Sequence, residues 1–225
     1  GIQYKHLGVK MIIVIEGTDG SGKQTQTELL MKYFTGIGKE VKKQSFPNYE
    51  SESSVLVKKY LNGDFGGLNS LNPKQSSVFF SVDRLCTMLK YKEYLLSGGI
   101  LLLDRYVSSN ILHQASKIEN ENERNEFINW LEKFEYEDLK LPRPDKTIFL
   151  DMRPDLSLKL RMDRGLLKAG TKKDIHESNT EYMKKCYELG IKIAKSKSWQ
   201  IIKCYDGDRI KSIEEIHKEI SALFM

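Results

Sequence analysis

Short apolar runs alternate with stretches of helical periodicity along the chain. Residues 11–16, 100–103 and 147–151 are rich in Ile, Leu, Val and Phe, a pattern typical of parallel strands that are buried on both faces. Residues 40–46 are more polar and predict a strand at the sheet edge, and residues 199–205 predict the last strand. Five strands that alternate with helices predict a mainly parallel sheet with right-handed crossovers.

Helical periodicity fills the intervals between these strands. The predicted helices span residues 23–34, 51–61, 73–97, 108–117, 122–138, 155–164, 177–195 and 210–223. The longest of them begins at Pro73, which suits the first turn of a helix, and it carries an apolar stripe. The stripe consists of Val78, Phe79, Val82, Cys86 and Leu89.

The most specific local signal is the segment 16–27, which reads EGTDGSGKQTQT. Gly17, Gly22 and Lys23 fit the G-x-x-x-x-G-K spacing of a P-loop. In such a loop, backbone N–H groups wrap around phosphate oxygens at the N-terminus of a helix, and the Lys contacts the β- and γ-phosphates of a nucleotide. The alternative is a turn that binds nothing, but the strand before it, the helix after it and Lys23 argue against that. The predicted triphosphate site comprises Gly17, Thr18, Asp19, Gly20, Ser21, Gly22, Lys23, Gln24 and Thr25.

One position departs from the P-loop pattern. The residue after the Lys is normally a Ser or Thr whose hydroxyl ligates Mg²⁺, and here it is Gln24. A Gln amide oxygen can ligate Mg²⁺ directly or hold one of its waters, and the sequence leaves both options open.

Polar residues follow the predicted strands at the points where each strand ends. The P-loop, Phe46-Pro47, Asp104-Arg105 and Asp151 all lie at such ends. Ligands of parallel sheets bind beyond the carboxyl ends of the strands. The sequence therefore predicts one active cleft that these segments share.

Two further pairs of residues carry candidate chemistry. Asp104 could hold Mg²⁺ or its water, and Arg105 could donate a fork of hydrogen bonds to a phosphate; the alternative is a salt bridge at the strand end. Phe80 and Arg84 lie four residues apart on one helix face, which suits stacking on a planar base and donating hydrogen bonds to it. For Phe80, ordinary core packing is the alternative.

The segment 161–173 is basic and contains Arg161, Arg164 and three lysines, Lys168, Lys172 and Lys173. A mobile basic lid of this kind would close over a triphosphate, exclude water and spread positive charge over the transferred phosphoryl group. The alternative is a solvated charged loop.

Length and composition limit the classes of protein. The 225 residues, 40% of them hydrophobic, suit one compact α/β domain, and no apolar stretch reaches the roughly 18 residues of a spanning helix. The net charge of +5 is modest, and no dense Lys/Arg run interleaved with aromatic residues predicts a nucleic-acid groove. Three scattered cysteines without a C-x-x-C motif predict a reducing, cytoplasmic setting.

The N-terminal segment 1–10 carries no signal-peptide h-region. We expect it to be a short native extension or a remnant of cloning ahead of a natural start at Met11. Residues 11–225 are expected to form a single kinase domain.

Beyond these residue patterns, the chain resembles the thymidylate (dTMP) kinases over nearly its whole length from Met11. The matching segments are EGTDGSGKQTQ, FPNYES, FFSVDR, LLLDRYVSSNILHQ, DIHE after the basic loop and YDGDRIKSIEEI near the end. The P-loop alone is unspecific among nucleotide-binding proteins. The D-R-Y-x-x-S segment together with F-S-x-x-R on the preceding helix is much more specific.

The resemblance implies a three-layer P-loop NTPase fold, with a five-stranded parallel sheet, helices on both faces and a short basic lid at about residues 161–177. It implies transfer of the γ-phosphoryl group of ATP to dTMP, giving dTDP and ADP, with Mg²⁺ as cofactor. It also implies a homodimer, since the helices predicted at 73–97 and 122–138 could leave an apolar face free. Neither a nucleic acid nor a membrane is expected as a partner.

The resemblance also implies roles for individual residues. In the family, the Phe that matches Phe80 stacks on thymine, and the Arg that matches Arg84 contacts the base. The Arg that matches Arg105 grips the monophosphate, with the Asp that matches Asp104 beside it near Mg²⁺, and Asp19 matches a carboxylate near the acceptor sugar. The other residues assigned to the acceptor site are Phe46, Pro47, Tyr49, Ser109, Asn110, His113 and Gln114. The loop 206–209 resembles the segment near adenine.

The chain departs from the family pattern at two further positions. Tyr49 occupies a slot where the family often has an Arg, and Gly20 occupies the P-loop slot that holds a catalytic Arg in some members. The chain is similar to members that place this basic residue in the lid. Arg161 and Arg164 therefore join Lys23 and Arg105 as candidate catalytic residues.

Two competing functions remain at this level. His113 and Tyr49 leave room for another kinase on the same scaffold, with dUMP, dCMP or a deoxynucleoside as acceptor. A P-loop switch that hydrolyses nucleotide slowly is a different class of protein. It is disfavoured by the lack of a convincing switch segment and by the second pocket that Phe80, Arg84 and Arg105 imply.

Overall fold

The computed structural model describes residues 10–163 and 180–225. Most of the predicted lid, including Arg164, Lys168, Lys172 and Lys173, lies outside the described residues. So does nearly all of the predicted N-terminal extension. Within the described ranges, no helix is both long enough and apolar enough to cross a membrane.

A five-stranded parallel sheet forms the centre of the molecule, with the strand order β2-β3-β1-β4-β5. The strands are β1 (Met11–Gly17), β2 (Val41–Ser45), β3 (Ile100–Asp104), β4 (Lys146–Asp151) and β5 (Gln200–Lys203). The polar strand β2 lies at an edge and the apolar β3 in the interior, as their sequences predict. The expected parallel sheet is confirmed.

The side chains of the apolar strands alternate between two hydrophobic cores, as the two-residue period of a strand requires. In β1, Ile12 and Val14 pack in one core, while Ile13 and Ile15 pack in the other. All four side chains have no exposed surface. Helices on both faces of the sheet are therefore needed, and the three-layer prediction is confirmed.

One layer consists of α1 (Lys23–Gly36) and α9 (Ile213–Ser221), which pack against each other and against the sheet. The layer on the other face contains α3 (Pro73–Leu89), α5 (Val107–Ala115), α6 (Glu121–Glu132) and α8 (Thr180–Ser196). The shorter helices are α2 (Val55–Leu61), α4 (Lys92–Leu96) and α7 (Pro154–Asp163).

Several predicted boundaries are wrong. The helix predicted at 73–97 is two helices, because α3 closes with short-range bonds from Lys90 N–H to the Thr87 carbonyl and from Tyr91 N–H to the Met88 carbonyl. The helix predicted at 122–138 changes after α6 into a π-helical segment, Lys133–Asp138. A 3-10 turn, Glu52–Ser54, precedes α2.

The C-terminal part of the chain contains a hairpin that the sequence pattern did not predict. It consists of β6 (Tyr205–Asp206) and β7 (Arg209–Ile210), paired antiparallel. The last parallel strand is therefore shorter than predicted, and the expected helix 210–223 begins three residues later as α9.

Most of the apolar stripe predicted on α3 faces outward, whereas Phe79 packs against the cluster of Val57, Tyr60 and Leu61. Val78, Val82 and Leu89 are 38%, 42% and 63% exposed. The polar face of the same helix is buried instead, and its buried polar residues are Ser76, Ser77, Ser81, Asp83, Arg84 and Thr87. This inversion turns the polar face of α3 toward the cleft described next and leaves apolar surface toward solvent.

Candidate active site

The P-loop connects β1 to α1 through a sharp turn. Gly17, Gly20 and Gly22 all have positive φ angles, of 154°, 78° and 92°, a conformation that glycine adopts without a steric penalty. A Cβ atom on Gly17 would lie 2.7 Å from Ser21 Oγ and 3.0 Å from the Leu150 carbonyl oxygen. The Gly spacing therefore has a steric reason in this fold.

Lys23 begins α1 and is almost completely buried, with its Nζ donating to the Thr18 carbonyl at 2.9 Å. Burial, followed by repulsion from Arg105, lowers the pKa of Lys23 to about 8. Among the described residues, the buried hydroxyl groups of Thr18 and Ser21 have no hydrogen-bond partner. This combination of a destabilised cation and unpaired polar groups suits an anion-binding loop.

The register of the sheet brings Asp104 and Arg105 beside this loop. Ile15 of β1 pairs with Asp104 of β3, and the Arg105 N–H donates to the Ile15 carbonyl at 3.1 Å. Arg105 has a φ of 68°, which costs energy for a residue with a side chain. This backbone conformation places the Arg105 guanidinium at the carboxyl edge of the sheet.

A network of carboxylates and hydroxyls holds the Arg105 guanidinium. It donates to Asp19 and, at 2.9 Å, to Ser109 Oγ, and it lies 3.7 Å from the buried Glu16. Burial by itself would lower the pKa of Arg105, but Asp19, Glu16 and Asp104 outweigh it and raise the pKa. Arg105 is thus a fixed cation.

His113 contacts the same guanidinium. Its Nε2 lies 3.4 Å from Arg105 Nη1, and since a guanidinium can only donate, Nε2 is the acceptor and the proton belongs on Nδ1. Burial and the charge of Arg105 lower the pKa of His113 to about 3. His113 is therefore a neutral ring in the wall of the site.

A cleft with an empty volume of about 670 Å³ opens next to Arg105. With one exception, all the residues predicted for the acceptor site line it. The exception is Asp104, which lines the neighbouring P-loop cleft. Leu61, Asp83 and Tyr106 line this predicted acceptor cleft too and were not themselves predicted.

The predicted base-reading residues lie together in this cleft. Phe80 also packs edge-on against Tyr60, with ring centroids 5.9 Å apart. Arg84 is 2% exposed and forms a buried ion pair with Glu135. Burial by itself would lower the pKa of Arg84, and Glu135 outweighs it.

Two buried amide side chains also line this cleft. Asn110 and Gln114 are 2% and 0% exposed, and their amide nitrogens have no hydrogen-bond partner among the described residues. The amide oxygen of Gln114 accepts from Ser76 Oγ at 2.7 Å. The wall of the cleft therefore contains two buried amide nitrogens that have no hydrogen-bond partner among the described residues.

The loop that carries Phe46 and Pro47 is tied to α3 through a buried carboxylate. Asp83 accepts from the backbone N–H of Asn48 at 2.8 Å and from Ser53 Oγ at 2.7 Å. Sequence analysis missed Asp83, Glu16 and Glu135. The sequence signal for Glu16 was a charged residue at the end of the apolar run 11–16.

A second cleft of about 730 Å³ lies over the P-loop. It is lined by Gly20, Gly22, Lys23, Gln24, Thr25, Asp104, Arg105, Leu160 and Arg161. Arg105 therefore borders both clefts. Among the described residues, no group of three or more His, Cys, Asp or Glu side chains is placed to hold a metal ion by itself.

The side chain of Arg161 covers the P-loop at Gly20. A Cβ atom on Gly20 would lie 3.2 Å from both Cγ and Cδ of Arg161. A side chain on the loop and Arg161 in its present position would therefore compete for the same space. Arg164, the other candidate in the lid, lies outside the described residues.

Residues 15–220 match the family model for thymidylate kinase. The chain belongs to the thymidylate kinase family. It is similar to the thymidylate kinase of Plasmodium falciparum, with 31% identity over 92% of this chain and 86% of that protein. For the Mycobacterium tuberculosis enzyme the identity is 30% over 76% of this chain and 79% of that one, and for the human enzyme it is 26% over 94% and 88%.

Solved structures of the family share the fold. The thymidylate kinase of Candida albicans superposes with a TM-score of 0.72 at 23% identity, covering 96% of this chain and 91% of that one. The Ehrlichia chaffeensis thymidylate kinase gives a TM-score of 0.65 at 23% identity, covering 96% and 100%. The predicted family is thus confirmed by sequence and by fold.

Proposed function

We propose that this member of the thymidylate kinase family transfers the γ-phosphoryl group of ATP to the 5′-phosphate of dTMP, giving dTDP and ADP. The observation that carries the proposal is that two clefts meet at one cation. Arg105 borders both the P-loop cleft and the cleft that contains Phe80, Arg84 and Asn110. An acceptor phosphate bound by Arg105 would lie beside a triphosphate bound by Lys23.

The acceptor cleft suits an oxo-pyrimidine. Phe80 offers an aromatic face for stacking, while Arg84, Asn110 and Gln114 offer hydrogen-bond donors. A thymine or uracil ring has two carbonyl oxygens that accept such bonds. A buried donor left without an acceptor is costly, and this cost supports a carbonyl-bearing base over one with an amino group at the same place.

The chemistry needs positioning and charge compensation. An oxygen of the acceptor monophosphate attacks the γ-phosphorus, the bond to the β-phosphate oxygen breaks, and ADP leaves. The acceptor is already an anion, so no strong general base is needed. Lys23, Arg105 and Arg161 would neutralise the charge that spreads over the transferred group.

The donor set of the P-loop cleft fits a Mg²⁺ ion that is held mainly by ATP. Asp104 supplies one carboxylate, and Gln24 and Thr25 supply neutral oxygens; such a set suits Mg²⁺, which usually takes one or two carboxylates plus substrate phosphates and waters. When bound, the ion would neutralise phosphate charge. We assign Asp104 and Gln24 as the residues that would hold it or its waters.

We also propose that the protein is a homodimer. The outward-facing stripe of α3, with Val78, Val82 and Leu89 exposed, supports this, as do Val55 and Leu56, which are 45% and 46% exposed on the neighbouring helix α2. A contiguous apolar surface of this kind is typical of protein–protein contacts. The three free thiols, Cys86, Cys186 and Cys204, support the predicted cytoplasmic setting.

A panel of acceptors tests the proposed reaction. ADP release with ATP and Mg²⁺ would be measured for dTMP, dUMP, dCMP and thymidine at equal concentrations. We expect the highest kcat/KM for dTMP and little activity with dCMP, because its amino group would face the donors of the cleft. A preference for dCMP or for thymidine would contradict the assignment.

A further inference from the structure

Glu135 is a buried carboxylate whose two oxygens face α3. It has no exposed surface, and it belongs to the π-helical segment Lys133–Asp138. Its Oε2 accepts from Arg84 Nε at 2.7 Å, and its Oε1 accepts from Arg84 Nη2 and, at 2.8 Å, from Ser81 Oγ. The carboxylate is therefore fully engaged by one face of α3.

The two hydrogen bonds to Glu135 fix the plane of the Arg84 guanidinium. A guanidinium has five N–H donors in a rigid arrangement, and Glu135 accepts two of them, one from Nε and one from Nη2. No other hydrogen bond to Arg84 occurs among the described residues. Arg84 lines the acceptor cleft, so its remaining N–H donors are left for a ligand of that cleft.

The π-helical geometry gives Glu135 this position. A π-helix is rare and uses wider i→i+5 bonds, seen here from the Leu139 N–H to the Phe134 carbonyl at 2.9 Å. It continues α6 directly. Within this segment Glu135 is buried, while Glu137 and Asp138 are exposed.

Stability alone does not explain such a pair. Two buried charges contribute little net stability compared with well-packed apolar side chains of similar volume. The pair also contributes Arg84 to the lining of the cleft that would hold the acceptor base. Its location suggests a role in recognition.

We infer that Glu135 is a positioning and specificity-determining residue, which orients Arg84 toward the carbonyl oxygen of the acceptor base and compensates its charge. The inference rests on the proposed function, because it assigns the acceptor cleft to a base. Because Arg84 is bonded to Glu135 away from the P-loop, we assign the acceptor phosphate to Arg105, which borders both clefts. Because Arg84 is held in one plane, a base that carries an amino group where thymine has a carbonyl would place that amino group against the N–H donors of Arg84.

The first test is Glu135→Gln, which keeps the shape of the side chain and removes its charge. We expect KM for dTMP to rise about tenfold, in the range of a lost charge-assisted hydrogen bond. KM for ATP and kcat should change less than about threefold, and the preference for dTMP over dCMP should fall. Glu137→Gln, on the exposed side of the same segment, is the matched control and should leave all of these values unchanged.

A double-mutant cycle separates positioning from a structural role. If Glu135 acts through Arg84, Glu135→Gln should weaken dTMP binding in the wild type but change it less than twofold in an Arg84→Met background. Calorimetric titration with dTMP alone provides this readout without turnover. Equal losses in both backgrounds, or a lower melting temperature with unchanged dTMP affinity, would overturn the inference.

A second variant covers the case in which Glu135→Gln does not fold. Arg84→Met combined with Glu135→Leu removes both charges, so neither charge is left buried without a partner. This double variant should bind dTMP as weakly as Arg84→Met alone. Wild-type affinity in this double variant would overturn the inference. If the wild type transfers phosphate to dTMP while Glu135→Gln behaves like it, only the inference fails; if the wild type binds no dTMP, the proposed function fails as well.

Discussion

At the scale of single residues, the guanidinium of Arg105 and the ammonium of Lys23 determine how two anions can approach each other. Arg105 is held by Asp19, Ser109 and the buried Glu16. Among the described residues, Lys23 has no carboxylate hydrogen-bond partner and donates to the carbonyl of Thr18. Arg105 is therefore stabilised as a cation before any ligand binds, whereas Lys23 gains full compensation only from bound phosphate.

The first prediction concerns how much Lys23 contributes to the rate of phosphoryl transfer. Lys23→Ala should lower kcat at least about a hundredfold, because a preorganised charge at the transferring phosphoryl group is lost. Steady-state kinetics with ATP and dTMP measure it. Lys32→Ala, an exposed lysine two turns further along α1, is the control. Turnover of Lys23→Ala within a few-fold of the wild type would refute the role of Lys23.

The lowered pKa of Lys23, about 8, predicts a pH dependence. Above pH 8 the free protein holds Lys23 mostly neutral, and bound phosphate raises its pKa back toward the usual value of about 10.4. ATP binding at pH 8.5 should therefore take up protons, and ATP affinity should fall as the pH rises above 8. Below pH 7, where Lys23 is charged in both states, this uptake should vanish.

Calorimetric titrations at pH 8.5 in two buffers of different ionisation enthalpy measure the proton uptake. Lys23→Met should remove it. Proton release on ATP binding at this pH, or an uptake that persists in Lys23→Met, would contradict the assignment. Among the described residues, Asp19, Asp104, Glu16 and Arg105 are the charged groups that act on Lys23.

At the scale of elements, the strands were predictable and the long helix was only partly so. The apolar runs of β1, β3 and β4 leave few options other than buried parallel strands. The inward face of α3 could not be derived from periodicity, because its polar residues are paired with partners far away in sequence. Asp83 binds the loop at Asn48, and Arg84 binds Glu135; separations of 35 and 51 residues leave no local pattern.

Helix α8 provides a prediction in which packing opposes helix propensity. Gly190 faces β4, and a Cβ atom there would lie 2.9 Å from Cζ of Phe149, which is fully buried. Propensity favours Ala over Gly by about 1 kcal/mol, but overpacking a core costs about 1–3 kcal/mol. Gly190→Ala should therefore lower the free energy of unfolding by about 1 kcal/mol.

The matched control is Gly36→Ala at the end of α1, where a new Cβ atom would meet nothing within 4 Å. This change should leave stability equal or raise it by up to about 1 kcal/mol. Denaturant unfolding of both variants gives the comparison. If Gly190→Ala stabilises as much as Gly36→Ala, the tight packing of α8 on β4 is wrong.

At the scale of the whole molecule, the site is assembled from strand ends that only the sheet brings together. The pairing of Ile15 with Asp104, and of Ser45 with Asp104, sets the P-loop, Arg105 and the Phe46-Pro47 loop at one edge. The sequence predicted this convergence from the order of strands and motifs along the chain. It also placed Asp151 in the shared cleft, but Asp151 lines neither cleft and accepts a hydrogen bond from Tyr187 instead. The ligation of Mg²⁺ and the role of Arg164 remain predictions.

The proposed homodimer is a prediction about the whole molecule. Sedimentation at micromolar concentration should give twice the mass of one chain. Val82→Asp, which places a charge in the exposed stripe of α3, should give a monomer, and Val82→Thr, of similar shape, should retain the dimer to a larger extent. A wild-type protein that is monomeric at this concentration would contradict the proposal.

The central claim is that a donor triphosphate and an acceptor monophosphate meet at Arg105. The most direct measurement follows the γ-phosphoryl group itself, by incubating the protein with ATP labelled at the γ-phosphate, Mg²⁺ and dTMP and then separating the products. We expect the label in dTDP, no label transferred when Arg105 is replaced by Met, and little release as inorganic phosphate. Label that appears as inorganic phosphate at the same rate with and without dTMP would contradict the account.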